Sequence, residues 1–190
     1  MRDSMRLPAR DQQQPVAAAL APCTAALAER AATLEQEQAA LRDATVRMAK
    51  SLAVAMEAKD PHLHGHSHRV AALGAAIAEE LGLDAETVEA VRLAGRLHDV
   101  GKIGIREAVL NKPGTLTADE YAHVQQHVAI GVEILSPFTH LGEVLTYVHH
   151  RHEHWDGSGY PQGLRGSAIS VGGRILTAAD TFDALTSARA

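Results

Sequence analysis

Residues 93–105 read LAGRLHDVGKIGI and set a histidine beside an aspartate at the end of an apolar run. Val88, Val91 and Ala94 lie on one side of the preceding turns, and Ala90, Leu93 and Leu97 on another. That pattern predicts a central helix, opened by Asp84 as N-cap and ended by Gly101 and Gly104. His98 and Asp99 together offer one nitrogen and one carboxylate to a hard or borderline metal ion. Burial of either group without a partner is costly, so their adjacency inside an apolar helix requires a reason. Alone, the dipeptide is weak evidence and is better read as a capped helix end with a satisfied core histidine.

The neighbouring helices shift that balance. His66 heads a stripe with Val70, Leu73, Ile77 and Leu81, and Gly82 supplies a stop. Thr117-x-x-Glu120 is a capping box that opens a helix running to Ser136-Pro137, and His127 lies one turn from Val124 and from Gly131. A helix over about 140–153 would put Leu141, Leu145, Val148, His149 and His152 on one face, with two histidines pointing inward together. The last helix, starting near Gly172 or Gly173, aligns Leu176, Asp180 and Asp183. The glycine-rich run 156–166 must be loop. Several helices that each bring histidine or aspartate onto an apolar stripe are what a metal site inside a helical core needs. No strand pattern or internal repeat is visible, so the expected fold class is all-α, a helical bundle.

The chain has 190 residues, 46% of them hydrophobic and only 3% aromatic, which suits one helical domain with an additional arm. A formal net charge of −5 leaves no electrostatic footprint for duplex nucleic acid or an anionic membrane. The single cysteine, Cys23, excludes an intramolecular disulfide and every cysteine-based metal motif. All 12 histidines fall between His62 and His154. The N-terminus lacks the apolar stretch of a signal peptide and no segment is apolar enough to span a membrane, so a cytoplasmic protein is expected. Residues 1–23 read as a disordered start or linker remnant, and 24–58 as a long helical arm. Within the arm, Leu27, Leu34, Leu41 and Met48 recur every seven residues, but the companion seam is poor. A weak homodimeric coiled coil and a solvated arm packing on its own domain both fit.

Five stretches then occur in a telling order: HGHSHRVAALGAAIAEELGL (64–83), LAGRLHDVGKIGI (93–105), NKPGTLTADEYAHVQQHVAIGVEIL (111–135), HEHWDGSGYPQGLRG (152–166) and GGRILTAADTFDALTS (172–187). With them the chain, from about Ser51 onward, resembles the HD-GYP domain, a bacterial type within the HD metal-dependent phosphohydrolases. The resemblance implies an HD-domain helical bundle over 59–190. It also implies hydrolysis of cyclic di-GMP to linear pGpG and/or GMP, some members preferring a cyclic GMP-AMP dinucleotide. Carried over by position, the metal ligands are His66, His98, Asp99, His127, His152 and Asp180. Asp99 would lie between two ions, usually iron or manganese, which would neutralise charge as water attacks phosphorus. Lys102 would hold a phosphate oxygen, its plainer reading being a solvated cation at a helix end. Arg189 matches a phosphate-contacting arginine. Gly157, Gly159, Tyr160 and Pro161 form the GYP loop, where Tyr160 is either a packing anchor or a recognition surface for a signalling protein.

Three departures accompany the match. Arg151-His152 stands where many members have a histidine pair, and an arginine there would repel a cation; His149 is one candidate for the missing nitrogen, a packed or half-exposed histidine being the alternative. His62 stands where members with a third metal carry glutamate, so two ions are expected and a third stays open. His64 and His68 are expected to be exposed or to lie behind the ligands. The chain ends at Thr186-Ser187-Ala188-Arg189-Ala190 where the family continues, which reads as a truncated domain. With only 23 residues before the arm, no folded sensor is expected in this chain, and regulation would come through dimerisation or a separate protein. A catalytically weak or inactive cyclic-dinucleotide receptor is the competing reading of function. A mononucleotide hydrolase is opposed by DGSGYPQGL, which such enzymes lack.

Overall fold

The computed structural model describes residues 13–59 and 65–187. His62, His64 and Arg189 lie outside the described residues. Among those described the fold is all-α: α1 (Gln13–Lys59), α2 (His66–Glu80), α3 (Ala85–Leu97), α4 (Glu107–Leu110), α5 (Ala118–Gln125), α6 (His127–Leu135), α7 (Gly142–His150) and α8 (Val171–Thr186), with 3-10 turns at Val100–Gly104, Thr139–Leu141 and Gly166–Ala168.

Helix α1 starts at Gln13 rather than Thr24, so residues 13–23, expected as disordered start or linker, are helical, Pro22 included. By packing, the chain divides between Ala44 and Thr45 rather than near residue 58. In the first unit Leu27 is 65% and Leu34 52% exposed. In the second, Thr45 is buried and Leu52 packs against the core.

That core is built around α3, which contacts α2, α7 and α8, as its two apolar sides require. Val88, Val91, Ala94 and Leu97 of α3 meet Val70, Ala75 and Ala78 of α2, Val144, Tyr147 and Val148 of α7, and Ile175, Leu176 and Ala179 of α8 in one cluster. Asp84 caps α3 by accepting from the Thr87 amide at 2.8 Å, an arrangement typically worth about 1 kcal/mol. The expected stripe on α2 is displaced. Leu73 and Ile77 are half-buried and Leu81 is 60% exposed, while His66, Ser67, Val70, Ala71, Gly74, Ala75 and Ala78 face inward. Close approach is the reason: a Cβ added at Gly95 would stand 2.6 Å from the Ala71 Cα, so only small residues fit where α2 crosses α3.

The capping box at Thr117 and Glu120 is formed. The helix it opens ends at Gln125, and α6 begins afresh at His127. The 3-10 turn after Asp99 lies directly on α6, and a Cβ at Gly101 would overlap the His127 carbonyl. Gly95 thus brings the start of α2 to the end of α3, and Gly101 brings α6 to the residues that follow it.

Candidate metal centre

His66, His98 and Asp180, from the start of α2, the end of α3 and the middle of α8, each offer one ligand atom, and these atoms lie within 4.8 Å of one another. The imidazoles are prepared for that role. His98 is fully buried, and its Nδ1 lies 2.7 Å from the Gly95 carbonyl. A carbonyl can only accept, so Nδ1 carries the hydrogen and Nε2 presents a bare lone pair. That Nε2 is buried and has no hydrogen-bond partner. Burial depresses His98 to about 4, more than offsetting the opposing influence of Asp99, so the ring is neutral and able to ligate. An unsatisfied buried lone pair converging with two further donors is the observation that a cation would explain.

His66 donates from Nδ1 to Asp183 Oδ2 at 2.7 Å, and Asp183 is held in turn by Arg69 Nε at 2.6 Å and Nη2 at 3.0 Å. His66 Nε2 then faces Asp180 Oδ1 at 3.3 Å. Two acceptors so close need a proton or a cation between them. Accordingly, although burial acts downward, the Asp180 and Asp183 carboxylates raise the His66 pKa above its usual value. Burial would lift the Asp180 carboxyl, yet the His66 hydrogen bond and the charges of His98 and Arg151 bring it well below the usual carboxylate range. Asp183 was aligned with Asp180 by helical period alone; its grip on His66 and the part played by Arg69, one turn after His66, were missed. A charged residue three positions along from a ligand was the available signal.

Asp99 and His127 are arranged differently. His127 Nδ1 donates to the Val124 carbonyl at 2.6 Å, again leaving Nε2 as acceptor. That acceptor is taken by Arg151 Nη2 at 2.7 Å. The same nitrogen donates to Asp99 Oδ1 at 2.5 Å, and Arg151 Nη1 reaches Asp180 Oδ2 at 3.2 Å. Lys102 Nζ holds the other Asp99 oxygen at 2.6 Å. Burial alone would raise the Asp99 carboxyl, but Lys102 first, then His98 and Arg151, keep it well below the carboxylate range. Burial, reinforced by Arg151, depresses His127 to about 4.

The inward pair of histidines expected on the next helix is not formed. α7 stops at His150 with Arg151 as its C-cap, so His152 lies past the helix end and Arg151 turns inward. His149 is half-buried against His150, ring centroids 5.9 Å apart, and does not belong to the donor cluster. His152 packs edge-on against His127, centroids 5.1 Å apart, and its buried Nε2 has no hydrogen-bond partner. His68 is exposed.

Tyr160 lies parallel to His152 at 4.6 Å, so the loop tyrosine packs as an anchor over a candidate ligand. Glu153, within the same motif, shapes the loop: its buried carboxylate accepts the Gln162 amide at 2.6 Å and the Leu164 amide at 2.8 Å. Gly159 lies hard against the backbone of His152–His154, Gly157 has positive φ, and Pro161 follows a cis peptide bond. Trp155, 64% exposed, lies beside the Arg174 guanidinium.

A profile described as HD domain matches residues 50–190. The chain belongs to the HD domain family, and its resemblance to the HD-GYP type is borne out by its relatives. It is 44% identical over 137 residues to a cyclic di-GMP phosphodiesterase of Thermotoga maritima, covering 70% of this chain and 37% of that protein. It is 44% identical over 142 residues to the cyclic di-GMP phosphodiesterase response regulator RpfG of Xanthomonas campestris pv. campestris, covering 73% and 37%. Identity is 40% over 153 residues to 3'3'-cGAMP-specific phosphodiesterase 2 of Vibrio cholerae, covering 78% and 29%. The chain thus spans about a third of the length of these curated relatives. Among the described residues no helix is long and apolar enough to cross a membrane.

Proposed function

We propose that this chain is a cyclic-dinucleotide phosphodiesterase domain that hydrolyses cyclic di-GMP to linear pGpG and/or GMP in the cytoplasm. The observation that carries the reading is the convergence of His66, His98 and Asp180, with the His98 Nε2 lone pair buried and unpartnered, in a chain whose relatives are named for this chemistry. Cyclic GMP-AMP is the alternative substrate, by similarity to the Vibrio cholerae enzyme.

The donor set of imidazoles and carboxylates suits Fe(II) or Mn(II). A bound divalent ion would supply Lewis-acid stabilisation of phosphate charge and lower the pKa of water at the site. The chain's own residues prepare the rest. Asp183 and Arg69 orient His66. The Gly95 carbonyl fixes the His98 tautomer. Lys102, partly exposed and beside Asp99, can exchange that carboxylate for a phosphate oxygen of the substrate. His152 under Tyr160 closes the side of the site that bears the GYP loop. Arg189 is proposed as a further phosphate contact, α1 as a homodimer contact, and the exposed loop with Trp155 as the place for a signalling partner.

A second reading, a receptor that binds the dinucleotide without cleaving it, draws on Arg151, whose contacts occupy Asp99 and His127. Hydrolysis of cyclic di-GMP by protein purified without oxygen and supplied with Fe(II) or Mn(II) separates the two. Turnover is expected, falling to background in His98→Ala/Asp99→Ala. Binding of cyclic di-GMP without turnover would establish the receptor instead.

A further inference from the structure

The residues expected around two metal ions do not form one undivided donor set. Asp99, His127 and Asp180 each direct an acceptor atom at a single group, the Arg151 guanidinium, at 2.5, 2.7 and 3.2 Å. We propose that this guanidinium takes the place of a second metal cation. The site then accepts one divalent ion, held by His66, His98 and Asp180, beside a cation built into the chain.

The inference rests on the metal-dependent reading above and on four features of Arg151. Its side chain is 3% exposed, and a guanidinium stays charged at any ordinary pH, so it is a permanent buried cation. Its planar fork reaches two carboxylates and an imidazole lone pair together, the groups that a metal in this position would collect. Its backbone is pinned where α7 ends, because Thr177 Oγ1 of α8 donates to the Arg151 carbonyl at 2.5 Å. Finally, it consumes the donors: His127 Nε2 and Asp99 Oδ1 are both engaged, and a divalent ion among them would stand against a positive charge in a poorly solvated space.

In the other half Arg151 reaches Asp180 Oδ2 at 3.2 Å, while Asp180 Oδ1 still faces His66 Nε2 at 3.3 Å. His98 Nε2 is unpartnered, and Asp99 Oδ2 lies 3.5 Å from it. On the Arg151 side, among the described residues, the buried side-chain atoms without a partner are Arg151 Nε, a donor that cannot ligate, and His152 Nε2, and a single imidazole does not make a metal site. A fixed guanidinium in the second position would still place positive charge beside the phosphate under attack, as a second ion would, with no reorganisation on binding.

The test loads the full chain anaerobically with Mn(II), counts ions per folded chain by elemental analysis and records the electron paramagnetic resonance spectrum. The wild type is expected to hold one ion with the hyperfine pattern of an isolated Mn(II). Arg151→His is expected to hold two, with the broadened signal of an exchange-coupled pair. Two coupled ions in the wild type would overturn the proposal whether or not the variant folds. A folded Arg151→His that still holds one ion would overturn it too, since the guanidinium would not be what fills the second place. A wild type that holds no ion at all would overturn the metal-dependent reading beneath it, an outcome distinct from either.

Discussion

The two halves of the site are made from the same residue types and end in opposite states. In one, His66, His98 and Asp180 converge and leave a buried imidazole nitrogen with nothing to bond. In the other, Asp99 and His127 are saturated by Arg151, with Lys102 on the remaining Asp99 oxygen. Both halves use the same device to aim a ring, a backbone carbonyl one turn earlier that takes the Nδ1 hydrogen. The difference therefore lies in what faces Nε2. Aiming a ligand and providing it with a cation are separate achievements, and a fold can supply the cation itself.

Breaking the saturated half should have the largest effect. Arg151→Ala leaves Asp99 Oδ1 and His127 Nε2 buried and unpaired, and is expected to lower metal-free stability by about 3–5 kcal/mol. Denaturant unfolding without metal checks this, and added Mn(II) should restore part of the loss by binding the folded state. A variant as stable as the parent without metal would show that the guanidinium contacts are not holding the site together.

The contact that sets the two halves side by side comes next. Gly101→Ala drives a methyl group into the His127 carbonyl, and a loss of about 3 kcal/mol is expected from such overpacking against backbone. Thermal unfolding would read it. A neutral substitution would mean that the turn after Asp99 does not press on α6 as described.

The smallest effect sharpens the open half without dismantling it. Asp183→Asn weakens the bond that fixes the His66 ring and its tautomer. Outer residues of this kind typically contribute 10- to 100-fold to metal affinity. Titration with Mn(II) should show a loss in that range with one ion still bound at saturation. Unchanged affinity would remove Asp183 and Arg69 from the account of the site.

Much of this was legible along the chain. Apolar period located α2, α3 and α8, the capping residues Asp84 and Thr117 marked two helix starts, and five candidate ligands on described helices or at their ends, His66, His98, Asp99, His127 and Asp180, do meet around one region. What failed was extrapolation past a helix end. Continuing α7 to residue 153 put His149 and His152 on a shared inward face, whereas the helix stops at His150 and the next residue turns in. The α2 stripe failed for a related reason: the larger residues predicted inside were displaced because the crossing at Gly95 admits only small ones.

The all-α class, the family and the supply of imidazoles and carboxylates are readable along the chain, because period, caps and motif spacing are local properties. Which donors stay free and which are spent depends on the folded arrangement. Arg151 meets Asp99 across 52 residues and Asp180 across 29, and His66 meets Asp183 across 117. A buried charge is tolerable only where partners surround it, and no local pattern records that those partners will be there.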